Sequence, residues 1–87
     1  MVSKNKKLFI KIASGSQDSS ILFSELTNLT IALGFSERVT GSHHIYYKDG
    51  IVEILNFQPD GNQAKPYQVR QLRSIISKYG LELTENE

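Results

Sequence analysis

The chain of 87 residues has no cysteine and no tryptophan, only two prolines, and no apolar run longer than three residues. Without cysteine it can form neither a disulfide bond nor a zinc site built from thiolates, and a reducing compartment is its natural setting. The apolar runs are far too short for a membrane span or for the hydrophobic part of a signal peptide. We therefore expect a cytoplasmic protein with no membrane partner.

What the sequence does contain is the composition of one small globular domain. Hydrophobic residues make up 39% of the chain and charged residues 22%, which is typical of folded proteins and not of disordered ones. A chain this short buries only about 60% of its unfolded surface, so it has no room for a second, cofactor-binding domain. We expect a protein that acts through a single surface and uses no cofactor.

The net charge is only +1, but the charges are unevenly distributed. Residues 1–11 carry four lysines and no acid, residues 59–79 carry four basic residues and one acid, and residues 81–87 carry three glutamates. Two basic segments of this kind can form a phosphate-binding surface on a nearly neutral molecule. They are also compatible with ordinary solvated helix faces, and the sequence leaves both interpretations open.

Two segments near the ends of the chain have the apolar periodicity of helices. The first spans residues 3–13 and is stopped by Gly15. The second begins with Pro66, which suits the first helical position, and is ended by Gly80. Its apolar stripe is formed by Val69, Leu72, Ile75, Ile76 and Tyr79.

A third helix, over residues 20–33, has the clearest pattern in the chain. Gly34 suits the left-handed position that ends it, and Asp18 or Ser19 should provide the N-terminal cap. Its apolar stripe is formed by Leu22, Leu26, Leu29 and Leu33, widened by Phe23 and Thr30.

Beyond Gly34 the apolar period changes from 3.6 to 2, which predicts strands over residues 35–40, 43–48 and 51–57. The last two flank Asp49-Gly50, a dipeptide favoured in two-residue hairpin turns. The turn predicts four opposed pairs: Lys48 and Ile51, Tyr47 and Val52, Ile45 and Ile54, His43 and Asn56. One sheet face is then apolar, with Ile45, Tyr47, Val52 and Ile54, and has His43 and Asn56 at its far end. The other face is half wetted and carries His44, Tyr46, Lys48, Ile51, Glu53 and Leu55.

The predicted order of elements is therefore helix, helix, three strands, helix. Three antiparallel strands have one face to cover, and two amphipathic helices are enough to cover it, which gives a two-layer α+β sandwich. An α-β-β-β-α core of this size resembles double-stranded-RNA-binding domains, here preceded by a short extra helix. We expect a basic helix and loop in residues 1–19, the core domain in residues 20–81, and a flexible acidic tail in residues 82–87.

The most conspicuous chemical feature is Gly41-Ser42-His43-His44, which contains both histidines of the chain. Imidazole titrates near neutral pH, so one histidine can act as a general acid or base. Adjacent strand positions point to opposite faces, so the two rings cannot work as a close pair, and no third ligand indicates a metal site. Gly41 would let a ligand approach His43 closely, and His44, beside Lys48, is suited to a phosphate contact. A purely structural role is the alternative for both histidines.

The same segment and its neighbours resemble the HicA family of toxins, small bacterial mRNA interferases that are paired with HicB antitoxins. The resemblance covers about residues 22–81 and is carried by Leu33-Gly34-Phe35, Gly41-Ser42-His43-His44, the hairpin, and Lys65-Pro66-Tyr67-Gln68-Val69-Arg70-Gln71-Leu72-Arg73. The chain departs from many members in two ways. It has about twenty residues before the first core helix, and it reads Asn56-Phe57-Gln58-Pro59 where many have a proline and a histidine.

The resemblance implies a metal-independent endoribonuclease that cuts mRNA, inhibits translation and growth as the toxin of a type II toxin–antitoxin system, and binds an HicB-type antitoxin. It gives the catalytic role to His43, the histidine directly after Gly-Ser. RNA supplies its own 2′-hydroxyl nucleophile, so a histidine base suffices and no metal is required. The expected substrate contacts are Gly41, Ser42, His44, Lys48, Lys65, Arg70 and Arg73. A non-catalytic RNA-binding module and an inactive relic that only binds HicB stay open as alternatives.

Overall fold

The computed structural model describes residues 2–83. Its elements follow one another as α1 (Lys4–Ser14), α2 (Phe23–Ala32), β1 (Ser36–Thr40), β2 (His43–Lys48), β3 (Ile51–Phe57) and α3 (Pro66–Tyr79). The order predicted from the sequence is confirmed, and so is the α+β class with its three-stranded antiparallel sheet. The extra N-terminal helix precedes an α-β-β-β-α core.

The start of α2 differs from the prediction. Neither Asp18 nor Ser19 caps this helix, which begins later, at Phe23, with Leu22 as its N-cap residue. The side chain of Glu25 accepts a hydrogen bond of 2.9 Å from the backbone N–H of Leu22, which satisfies one of the donors that a helix leaves open at its N-terminus. The helix starts late because Ile21 is buried and its carbonyl oxygen accepts a hydrogen bond from the N–H of Ala64.

The helices cover one face of the sheet and form a single core with it. The apolar stripes of α2 and α3 point inward as predicted, except that Leu22 is exposed and Tyr79 is only partly buried. α1 packs against α2 and α3, and its Ile12 is completely buried in the same core. The N-terminal helix is therefore an integral part of the core and not an appendage. The fully buried apolar side chains are Ile12, Ile21, Leu26, Leu29, Tyr46, Phe57, Val69 and Leu72.

The strands lie in the order β1-β2-β3, and both neighbouring pairs are antiparallel. Beside the Asp49-Gly50 turn, Lys48 pairs with Ile51 as predicted. The other three predicted pairs are wrong because a bulge follows, which leaves three residues of β3 opposite Tyr47. Beyond it, the observed pairs are Tyr46 with Leu55, Ile45 with Asn56, and His44 with Phe57. The shift is two residues, so each side chain keeps the face that the sequence assigned to it.

The expected character of the two faces is reversed. The half-polar face packs against the helices, where Tyr46 and Phe57 are fully buried. The more apolar face is exposed, with 87% of Val52 and 67% of Ile54 accessible. We call this second surface the open face. Strand pairing and alternation assign to it Ser36, Arg38, Thr40, His43, Ile45, Tyr47, Val52, Ile54 and Asn56.

The C-terminal end of the described chain packs on this core. Leu83 is buried, whereas Glu82 is exposed. Residues 84–87, most of the predicted acidic tail, lie outside the described residues. No helix within residues 2–83 is long and apolar enough to span a bilayer. The radius of gyration is 12.0 Å, about the value expected for one folded unit of this length.

Candidate active site

Gly41 and Ser42 form the two-residue turn that joins β1 to β2, because Thr40 and His43 on either side of them are paired. Gly41 has a φ of +60°, a conformation that L-residues with a side chain adopt at a cost. A Cβ atom at this position would meet nothing within 4 Å. The turn is therefore exposed, and its backbone is open to a ligand.

His43 is the first residue after this turn, and its ring lies exposed at the end of the open face. Its Nδ1 is 3.3 Å from Oδ1 of Asn56. Nε2 of Gln58 lies 2.9 Å from Nδ1 and 3.0 Å from Nε2 of the ring. An amide N–H can donate only to a ring nitrogen that carries no hydrogen, so Gln58 can bond one of the two nitrogens at a time, and the tautomer of the ring decides which.

His44 lies on the helix side of the sheet, so the two histidines are on opposite faces as predicted. Its ring packs edge-on against Phe23 with 4.9 Å between the centroids, and its Nδ1 is 3.6 Å from Oε2 of Glu37. The same carboxylate accepts a hydrogen bond of 2.5 Å from the hydroxyl of Tyr46. Burial, together with Glu37, raises the pKa of Tyr46 above its usual range, which keeps this phenol a neutral donor. His44 thus contributes to the packing between the sheet and α2.

The N-termini of α2 and α3 meet at the end of the molecule that carries both histidines. The N–H of Phe23, in the first turn of α2, donates to the carbonyl oxygen of Asn62, in the loop that leads to α3. Gln68, in the first turn of α3, donates to the carbonyl oxygen of Gln58 over 3.0 Å. The half-buried Lys65 is the N-cap residue of α3. Two positive helix ends and one lysine therefore lie around the strand end that holds Gln58.

Lys48 is not brought to this end of the molecule. It is the last residue of β2, five positions after His43, which is about 17 Å along a strand. It also lies on the helix side of the sheet, where its Nζ would be 2.6 Å from a Cβ atom at Gly34. Its expected contact with the substrate stays a prediction, and the structure gives it no proximity to His43.

The two arginines of α3 differ in their surroundings. Arg73 donates a hydrogen bond of 2.5 Å to the carbonyl oxygen of Ile12 and a second one to Asp18, and only 23% of its side chain is accessible. The hydrogen bond from Arg73 is the largest of the effects that lower the pKa of Asp18. Arg70 is 3.7 Å from the same carboxylate, but 56% of its side chain is accessible. Arg70 is the better placed of the two to contact a ligand.

Sequence reasoning did not identify Gln58 as a neighbour of His43. Asn56 was expected directly opposite His43, but it pairs with Ile45 and contacts the histidine ring diagonally. Continuing the observed register by one pair puts Gln58 opposite His43. Gln58 could therefore have been identified from the sequence only if the bulge had been predicted. Within residues 2–83, no group of three or more histidine, cysteine or acidic side chains is placed to hold a metal ion.

Comparison of the chain with models of known protein families, with curated proteins and with solved structures gives no match. The resemblance to the HicA family therefore stays a prediction from the sequence.

Proposed function

We propose that this protein is a metal-independent endoribonuclease that cuts mRNA, with His43 as the catalytic acid and base, and that it acts as a toxin restrained by an HicB-type antitoxin. The observation that carries the proposal is the setting of His43. Its ring is exposed, follows an open glycine turn, and is held by the neutral amides of Asn56 and Gln58. A histidine that served only the packing of the sheet would be covered, as His44 is by Phe23.

The proposed reaction needs no nucleophile from the protein. His43 takes the proton from a ribose 2′-hydroxyl, and the oxygen attacks the adjacent phosphorus atom. The bond from phosphorus to the 5′-oxygen breaks, and the leaving oxygen receives a proton from the imidazolium that has just formed. The products are a 2′,3′-cyclic phosphate and a 5′-hydroxyl, and His43 returns to its neutral form. One acid–base residue contributes roughly 10² to 10⁴ in rate, so we expect modest turnover.

Negative charge builds up on the phosphate oxygens during this reaction and must be stabilised. The N–H groups of Gly41 and Ser42 lie next to His43 and are exposed to solvent with the turn. The N-termini of α2 and α3 contribute positive potential at the same end, and Lys65 adds a full charge. Arg70, which is exposed, is suited to the phosphates that flank the cleavage point.

A toxin of this kind must be held inactive by its partner. An acidic surface on the antitoxin would complement the basic groups in the N-terminal part of α3, the half-buried Lys65 and the exposed Arg70. Such a surface would also attract the toxin electrostatically and exclude RNA by occupying the same groups.

The test is cleavage of a purified transcript by the wild-type protein and by His43→Ala. We expect the variant to lose cleavage and to keep its fold and its affinity for RNA. EDTA should have no effect, and a 2′-deoxy nucleotide at the cleavage position should block the reaction because the nucleophile is missing. The matched control is His44→Ala, which should retain cleavage once any loss of stability is taken into account.

Cleavage of the transcript by His43→Ala would contradict the proposal. Binding of RNA by the wild type without cleavage products would identify a non-catalytic RNA-binding module instead.

A further inference from the structure

The open face is a large uncovered apolar surface in a small protein. Val52 and Ile54 are the most exposed of its aliphatic side chains. Tyr47 lies on β2, between these residues and β1, and 47% of it is accessible. The helices cover only the opposite face, so nothing in the described chain packs on this one. An exposed apolar surface of this size commonly marks a binding site.

Its charge favours an anionic occupant. The strands contain two carboxylates, and both lie on the helix side of the sheet. Glu37 there contacts Tyr46 and His44, and Glu53 accepts hydrogen bonds from α3. The open face carries the cationic side chain of Arg38, which is exposed and forms no ion pair within residues 2–83. An anionic ligand on the open face would therefore meet the positive charge of Arg38 and no carboxylate from the strands.

The open face is also continuous with the candidate active site. His43, Ile45 and Tyr47 are alternate residues of β2, so all three side chains point to the same side. His43 and Tyr47 are four residues apart, which is about 13 Å along the strand. A ligand that reaches His43 can thus extend over Tyr47 without leaving this surface.

From this combination we propose that single-stranded RNA lies across the open face, with a base stacked on Tyr47 and a phosphate paired with Arg38 while the scissile bond is at His43. The inference rests on the proposed function and specifies the form of its substrate. Bases stack on exposed aromatic side chains of open sheets when they are unpaired. The bases of a duplex are already stacked on one another and cannot reach Tyr47. Val52 and Ile54 supply apolar contacts for neighbouring bases and riboses.

The first experiment compares Tyr47→Ala with Tyr67→Ala, both in the His43→Ala background so that the RNA is not cut. Tyr67 is the matched control because it has the same accessible fraction, 47%, but lies on α3. With a labelled single-stranded oligonucleotide, we expect Tyr47→Ala to lose about 5- to 150-fold in affinity, the effect of one stacked base. Tyr67→Ala should bind like its parent. Arg38→Gln should weaken binding and reduce the salt dependence by about one phosphate contact.

The second experiment uses the absence of tryptophan from the chain. In Tyr47→Trp the new indole is the only tryptophan, so its fluorescence reports on this position alone. We expect single-stranded RNA to quench it, and a duplex of the same sequence to quench it much less. Tyr67→Trp should show no change with either RNA.

Unchanged affinity of Tyr47→Ala, or an unquenched Tyr47→Trp, overturns the inference whatever happens at Tyr67. The same result together with loss of partner binding in Val52→Asp would make the open face a protein interface. The outcome is separable from the proposed function. If the wild type cleaves RNA but its affinity for RNA does not depend on Tyr47, the proposed nuclease activity is kept and the open face is not the RNA-binding surface. If RNA affinity depends on Tyr47 but the wild type does not cleave RNA, the open face is the RNA-binding surface and the proposed nuclease activity is wrong.

Discussion

The guanidinium of Arg73 donates to the carbonyl oxygen of Ile12, so a side chain of α3 holds the C-terminal end of α1. It also pairs with Asp18, in the loop that follows α1. A positive side chain near the C-terminus of a helix interacts favourably with the last carbonyl groups. This contact adds to the burial of Ile12 in keeping the short N-terminal helix packed on the core.

We therefore expect Arg73→Met to destabilise the protein and Arg70→Met to leave its stability almost unchanged. Both variants remove one positive charge, but only Arg73 bonds the Ile12 carbonyl. That hydrogen bond alone is worth about 1 kcal/mol. Urea unfolding measures the difference, and equal stability of the two variants would contradict it. If the protein binds RNA as proposed, the order is reversed for RNA affinity, with the larger loss in Arg70→Met.

The second prediction concerns Glu53. Hydrogen bonds from Lys78 and then Tyr79 lower the pKa of this carboxyl from 4.5 to about 2. The ionised form is thus favoured in the folded state, so its contribution to stability is complete above about pH 4.5 and is lost as the pH falls toward 2. The urea midpoints of the wild type and Glu53→Gln should differ at pH 6 and converge near pH 2. Glu82→Gln removes the same charge from an exposed position and should match the wild type at pH 6. A difference between wild type and Glu53→Gln that does not shrink at low pH would rule out this linkage.

The third prediction separates two reasons for a glycine at position 41, the conformation of the turn and the close approach of RNA. Its left-handed φ is tolerated by asparagine but not by a β-branched residue. Gly41→Val should cost about 1–2 kcal/mol in unfolding free energy. Gly41→Asn should cost clearly less, because asparagine adopts the left-handed conformation more readily. If RNA approaches the turn as proposed, Gly41→Asn nevertheless loses cleavage. Full activity of this folded variant would show that the glycine serves the turn alone.

The fourth prediction concerns Gln58, whose amide contacts both ring nitrogens of His43. Removing the amide lets the ring leave its orientation, and a misplaced catalytic group can cost up to about 100-fold in rate. If His43 is the catalytic residue as proposed, Gln58→Ala reduces kcat roughly 10- to 100-fold while RNA affinity stays the same. Gln71→Ala, an exposed glutamine on α3, is the control. A loss of affinity without a change in kcat would assign Gln58 to binding and not to positioning.

The elements of this fold could be predicted because each has a local signal. The leucine stripe gave α2, Asp49-Gly50 gave the hairpin between β2 and β3, and Pro66 and Gly80 gave the limits of α3. The position of His43 on a face opposite to His44 followed from strand alternation alone. These features depend on neighbours within a few residues, which a single sequence reveals.

The choice of the buried face could not be predicted in the same way. Val52 and Ile54 are more hydrophobic than Glu53, yet they are exposed. The inner face is decided by the size and fit of Tyr46 and Phe57 against the helices, and Glu53 is accommodated because Lys78 and Tyr79 reach it from α3. Such partners are distant in the sequence. The bulge in β3 has no local signal either, and it is what brings Gln58 to His43.

The two-residue turn at Gly41-Ser42 has a consequence for sequence variation at this site. His43 and His44 alternate along β2, so their orientation depends on the length of the turn as well as on their identity. If one residue were inserted in the turn and β2 kept its pairing with β3, only the turn would change. If β2 instead moved by one position relative to β3, the two rings would exchange faces, one moving to the solvent and the other to the interior. Chains that share this turn and both histidines should therefore tolerate substitutions in the turn far better than insertions or deletions.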